Sequence, residues 1–209
     1  MNGVPQLDLV VLVADKDMEH AIMGILSRHA ALGTRSISTR IYVHPDHDSG
    51  CFRRAHEFLR PFRSAFRHAL VLFDRQGCGQ DQRGALDLAH DVEVRLQQNG
   101  WERNAAAICL DPELEAWVWS RSPHVADTLG WAQGMDSLRS WLDQRGVWPS
   151  GAPRPTDPKK AVELTLRETH RSWSASIFLE LAMRVSLERC VDPAFQRLRG
   201  ILQSWFPRM

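Results

Sequence analysis

The chain carries almost no net charge. Its formal charge is +1 at neutral pH, so no global field steers it toward nucleic acid or an anionic membrane. Any such contact has to come from a local patch. Lysine is scarce: Lys16, Lys159 and Lys160 are the only three among 26 cations. No apolar run approaches the roughly 18 residues of a membrane span. The first run, Leu7 to Val13, stops at a cluster of acids, and no basic segment precedes it, unlike a signal peptide. The four cysteines (Cys51, Cys78, Cys109 and Cys190) form no CxxC pair. That excludes a tight thiolate knuckle and fits reduced thiols in a cytoplasm better than a disulfide framework. There is no internal repeat and no low-complexity tail. The remaining composition, 44% hydrophobic and 24% charged, is globular, and 209 residues suffice for one well-cored domain or one with an appendage.

Each segment that reads as a strand runs into acids. Residues 7–13 are followed by Asp15, Asp17 and Glu19. Residues 36–43 are followed by His44, Asp46, His47 and Asp48. Residues 69–73 end on Asp74 and then Gly77-Cys78-Gly79, and residues 105–110 end on Asp111, Glu113 and Glu115. Between them, apolar residues at helical spacing predict helices over 18–30, 51–67 and 83–98, with Pro61 kinking the second. The alternation predicts an α/β fold with a mostly parallel sheet of about four strands and right-handed crossovers. In such a sheet the carboxyl ends of the strands share one edge, where ligands bind. Acids gathered there repel one another unless a cation intervenes. Mg²⁺ or Mn²⁺ is the simplest neutraliser of carboxylate oxygens.

After residue 111 the strand signal stops. Helices are expected over 113–120, 123–129, 135–145, 158–169, 174–185 and 193–204, with a Pro- and Gly-rich loop at 146–158. The chain thus divides into an α/β part, 1–120, and a helical extension, 121–209.

Several residues are candidates for chemistry, each with a plainer alternative. Asp15 stands at the tip of the first strand, with Asp17 expected to cap the following helix and Glu19 to favour its first turn. Asp74 ends a buried strand, where an acid has few structural uses. Gly77 and Gly79 beside it permit backbone N–H groups to turn toward an anion; the alternative is an ordinary glycine turn. The segment His44 to Cys51 reads as a polar loop of turn formers; the alternative is a supporting role at the edge of a metal site. Asp111 and Pro112 read as cap and first residue of a helix, which leaves Glu113 and Glu115 unexplained by capping, so one of them points back to the strand tips. Lys159 and Lys160 open another helix against its macrodipole; a phosphate offsets that cost, and so does plain solvation.

Together these features resemble the Toprim domain. They are an acid at the first strand–helix turn, the Asp-led turn Asp74-Arg75-Gln76-Gly77, and parallel α/β order over about residues 5–120. The Glu-Leu-Glu-Ala-Trp stretch, the Pro-Lys-Lys helix and the closing Asp-Pro-Ala-Phe-Gln-Arg-Leu resemble small stand-alone Toprim-like proteins of prokaryotic defence loci. Within that group the likeness is to a small component of the methylation-associated defence system. The resemblance implies nuclease-like phosphodiester hydrolysis or nucleic-acid sensing in phage defence, dependent on Mg²⁺ or Mn²⁺, with DNA or RNA and other defence proteins as partners. It maps Asp15, with Glu19, to the first motif and Asp74 to the second. The family carries Glu in the first motif and Asp-x-Asp in the second, where this chain has Asp74-Arg75-Gln76. From the residues, the metal set is Asp15, Glu19, Asp74 and Glu113, the catalytic acids are Asp15, Asp74, Glu113 and Glu115, and Gly77, Gly79, Lys159 and Lys160 hold phosphate. Two alternatives stay open: a degenerate, non-catalytic subunit that docks a partner, and a small-molecule phosphohydrolase.

Five of the eight tryptophans lie in 121–209, at Trp131, Trp141, Trp148, Trp173 and Trp205. A small helical layer has limited area to bury them, so Trp148, flanked by Arg145 and Arg154 in the Pro-rich loop, is expected to be partly exposed and to bind a partner or a second copy.

Overall fold

The computed structural model describes residues 6–120 and 122–208. The sheet is four-stranded, all parallel, in the order β2-β1-β3-β4, with β1 at Leu7–Val13, β2 at Thr39–Val43, β3 at Phe66–Asp74 and β4 at Ala105–Leu110. β1 and β3 are near-continuous runs of Leu, Val, Ala and Phe because both their faces are covered. Leu9 to Ala14 expose no surface at all.

The chain leaves β1 through α1 (Lys16–Ser27) and the short α2 (His29–Leu32) to reach β2 on one side. It returns through α3 (His47–Leu59) to β3 on the other side of β1, and through α4 (Ala85–Leu96) to β4. Right-handed crossovers put α3 and α4, which pack together, on one face and α1 on the other. The order reverses between β1 and β3, so the crevice of this sheet opens above their carboxyl ends.

The helical third adds α5 (His124–Thr128), α6 (Gly134–Gln144), α7 (Pro158–Glu168), α8 (Ala175–Arg184) and α9 (Pro193–Trp205). α8 lies along α1, and α9 reaches β4 and α2. The α1–α8 approach is close because Gly24 has no side chain: a Cβ there would meet Ala182 Cβ at 2.6 Å. One hydrophobic core runs through both parts, from Leu9 and Phe73 in the sheet to Leu142, Leu166 and Phe195 in the helices. The change at residue 120 is therefore one of element type within a shared core. Among the described residues no helix is long and apolar enough to cross a membrane.

Three local expectations are corrected. The helix read over 51–67 begins at His47, tightens to a 3₁₀ turn at Arg60–Phe62 beside Pro61, and gives way to β3 at Phe66. Phenylalanine suits a strand as well as a helical stripe, so the pattern alone did not separate them. The segment after β4 is not an Asp111-capped helix. Asp111 pairs with Arg75 at 2.8 Å, the Asp111–Pro112 bond is cis, and a 3₁₀ turn spans Leu114–Trp117.

Trp148 is the third. It is only 4% exposed. Its ring meets Trp119 edge-on at 5.4 Å, Arg139 lies over it at 5.1 Å, and its Nε1–H donates to the Ala152 carbonyl at 3.0 Å. The Pro-rich loop folds back on itself and supplies the indole's partner from four residues away. The flanking arginines are engaged elsewhere: Arg145 sits 3.7 Å over Trp141, and Arg154 bonds Asp192 at 3.2 Å. The loop is core, and the partner surface expected at Trp148 is absent. Trp148→Ala is therefore expected to cost roughly 3–5 kcal/mol in urea unfolding, as for large-to-small core changes, with no change in oligomeric state by sizing. A loss under ~1 kcal/mol would place the ring outside the core.

Candidate functional site

The strand tips bring acids together as the parallel order requires. Asp15 follows β1 and caps α1: its Oδ1 accepts the Met18 N–H at 2.8 Å. This corrects the expectation that Asp17 is the cap. The Asp15 charge is also felt by Asp48 and Asp74, which places it beside them. Asp48 lies in the first turn of α3, and its Oδ1 accepts the Asp74 N–H at 2.8 Å. Asp74 closes β3, is 8% exposed, and its Oδ1 is buried with no hydrogen-bond partner. The nearby Leu114 N–H favours the charged form of its carboxyl, against the larger effect of burial.

The 3₁₀ turn after β4 sets Glu113 and Glu115 on the same pocket, both buried. Glu113 Oε1 accepts the Lys159 backbone N–H at 3.2 Å, which ties α7 to the sheet edge. The Lys159 ammonium stands 3.7 Å from Glu115 Oε1 and 3.9 Å from Glu113 Oε2. Asp17 borders the group from α1, with the Trp173 Nε1–H donating to its Oδ2 at 2.7 Å. Both Lys159 and Trp173 come from the helical third, which completes the site.

Burial is the largest influence on Asp17, Asp48, Asp74, Glu113 and Glu115. It raises Asp74 well above the usual carboxylate range, and repulsion from Asp48, Glu115 and Asp15 adds to it. Asp48 is raised by burial and by Asp15, against the bond from the Asp74 N–H. Burial pushes Glu115 up to about 7, with Lys159 opposing and Glu113 and Asp17 adding. Burial raises Glu113 as well, again opposed by Lys159. Burial works against the charge on Lys159, but Glu115, Glu113, Asp74 and Asp15 outweigh it and hold its pKa above the ordinary lysine value. A buried carboxyl raised toward neutrality beside an ammonium is the kind of perturbed pair that gathers at functional sites.

The other candidates fall as follows. Glu19, expected among the metal ligands, instead accepts from Lys16 Nζ at 2.6 Å. Gly77 and Gly79 both have positive φ, +101° and +82°. A Cβ on Gly77 would lie 3.4 Å from Asp48 Oδ2 and one on Gly79 would meet Arg53 Nη2 at 2.9 Å, so the turn lies against one acid and one cation. Lys160 is exposed; its N–H is capped by Asp157, and it lines a polar cleft of about 440 Å³ with Gln76, Thr156, Lys159 and Glu163. Asp48 is the group that the sequence reading undervalued. Its only signal was its place after β2, where the surrounding turn formers suggested a loop.

The carboxylates fit a hard cation in their chemistry: Asp74 has an unpartnered buried oxygen, and its neighbours repel it. Among the described residues, however, no group of three or more His, Cys, Asp and Glu side chains is arranged to hold a metal ion as it stands. The cation already among them is Lys159. Compared with models of known protein families, with curated proteins and with solved structures, the chain matches none.

The raised acids have a consequence for stability. A carboxyl whose pKa is higher in the folded chain makes that chain bind more protons than the unfolded one, so stability falls as pH rises. For Glu115 the penalty is absent below its ordinary 4.5 and complete above about 7. Without divalent ions, the melting temperature is expected to drop across that window, and Glu115→Gln to flatten the drop. Asp74→Asn is expected to raise the melting temperature at about pH 8, where the native carboxyl is most strained by its neighbours. A lower melting temperature for Asp74→Asn would show that the acids are not in conflict.

Proposed function

We propose that the chain is a Toprim-like, divalent-metal-dependent phosphodiester hydrolase acting on nucleic acid, serving in a bacterial phage-defence system. The observation that carries this reading is the buried, unpartnered Oδ1 of Asp74, surrounded by Asp15, Asp48 and Glu115 at the carboxyl edge of a parallel sheet. A scaffold has no use for that conflict, and a site for a cation does. Asp15, Asp48, Asp74 and Glu115 would hold Mg²⁺ or Mn²⁺. Bound there, the ion supplies Lewis-acid polarisation of a phosphoryl oxygen and lowers the pKa of water. The chain's own groups supply the rest. Lys159 and Lys160 lie along the polar cleft and bind the phosphate. Arg53, over the Gly79 turn, adds a third positive contact. The thiols of Cys51, Cys78, Cys109 and Cys190 are all free, which supports a reducing, cytoplasmic setting.

One observation favours a second reading, a non-catalytic subunit of the same fold. Gln76 stands where the Toprim pattern has a second carboxylate, and Lys159 already neutralises part of the cluster. Calorimetric titration with Mn²⁺ separates the two. The wild type is expected to bind and to gain thermal stability by mass action, whereas Asp74→Ala loses both responses. With Mn²⁺ present, single-stranded DNA, duplex DNA, RNA and small phosphate esters are then assayed. Turnover of a polynucleotide supports the hydrolase, turnover of small esters alone supports a small-molecule phosphohydrolase, and binding of neither metal nor substrate supports the subunit.

A further inference from the structure

We infer that Lys159 is a built-in counter-cation that competes with the divalent ion: its ammonium keeps the acid pocket closed, and metal loads only when that side chain withdraws. This rests on the reading of the site as a metal site. Three observations carry it.

The first is position. Lys159 Nζ stands between Glu113 and Glu115 at 3.9 and 3.7 Å. A direct charge-assisted hydrogen bond is about 2.7–2.9 Å, so the ammonium is shared by the two acids and locked to neither. Metal–oxygen bonds are shorter still, about 2.0–2.1 Å for Mg²⁺. The ammonium therefore stands where a divalent ion would approach Glu115, and an ion has to displace it to make those shorter bonds.

The second is mobility. The Lys159 backbone is pinned, because its N–H is held by Glu113 and α7 is capped by Asp157. Its head group is not pinned: the side chain is 51% exposed at the mouth of the pocket. A four-carbon stem on a fixed backbone lets the charge swing while the helix stays in place. The polar cleft shared with Lys160, Gln76 and Thr156 is open beside it. On the other side, Trp173 stands with its ring centroid 6.0 Å from Nζ, fixed by its bond to Asp17.

The third is residue choice. All but three of the 26 cations are arginine, yet a lysine occupies this position. Arginine would grip the two carboxylates with a planar, multi-donor fork, whereas an ammonium is a point charge that leaves more readily.

The state with Lys159 inside cannot take metal, so the observed affinity is the intrinsic affinity scaled by the fraction of chains with Lys159 out. The test is calorimetric Mn²⁺ binding to the wild type, Lys159→Met and Lys159→Arg, with thermal melts of each without metal. Lys159→Met is expected to bind Mn²⁺ roughly tenfold more tightly than the wild type, as when a closed state of about 90% is removed. Its metal-free melting temperature is expected to fall, since the acids lose their cation, and Mn²⁺ to restore it. Lys159→Arg is expected to bind no better than the wild type, which shows that charge and not length sets the competition. If Lys159→Met binds Mn²⁺ with wild-type or weaker affinity, the competition is overturned while the metal site stands. If neither binds Mn²⁺ although both melt cooperatively, the metal reading fails and takes the competition with it.

Discussion

Like charges cannot share a buried pocket unless a proton or a cation separates them. Much of this protein is arranged around that constraint. A four-stranded parallel sheet delivers its strand ends to one edge, and three of those ends, with the turn after the fourth, present Asp15, Asp48, Asp74 and Glu115 to a common crevice. The chain meets the conflict with several devices. One oxygen of Asp15 caps α1, Asp48 takes the Asp74 N–H, and Lys159 leans in from α7. What these leave unresolved, chiefly the second oxygen of Asp74, is what a ligand can use.

The fold was readable because its signals are local and strong. Runs such as Leu9 to Val13 are too apolar for a half-exposed strand, and they alternate with helical stripes, which leaves a parallel sheet as the economical arrangement. Late helices with clear starts, such as Asp157-Pro158 and Asp192-Pro193, were placed to within a residue or two at their N-termini. Residues 60–67 were harder, since Phe62 and Phe66 suit a helix stripe and a strand equally until tertiary packing decides.

The site was readable in part. Asp15, Asp74, Glu113 and Glu115 announce themselves by standing after strands. Asp48 did not, because Pro45, Ser49 and Gly50 around it look like turn chemistry, and only the pairing of β2 beside β1 brings it near Asp74. Asp17 was expected to cap α1, but the cap sits two residues earlier at Asp15, which leaves Asp17 to bond Trp173 and Glu19 to pair with Lys16. Trp148 misled for another reason. A count of tryptophans against available area cannot see that one loop folds back to bury its own indole and bond it to Ala152.

The contribution of α7 and the α7–α8 linker to the crevice has a consequence for how the chain is made. When β4 and the Glu113–Glu115 turn have left the ribosome, the acid edge is complete but its ammonium, 44 residues behind Glu115, is not yet available. The nascent sheet then carries its most repulsive surface without a counter-charge, and Trp173 has not yet joined Asp17. Final compaction of the sheet edge has to wait for residues 159–173, so synthesis order makes the last third of the chain a late closing step for the first two.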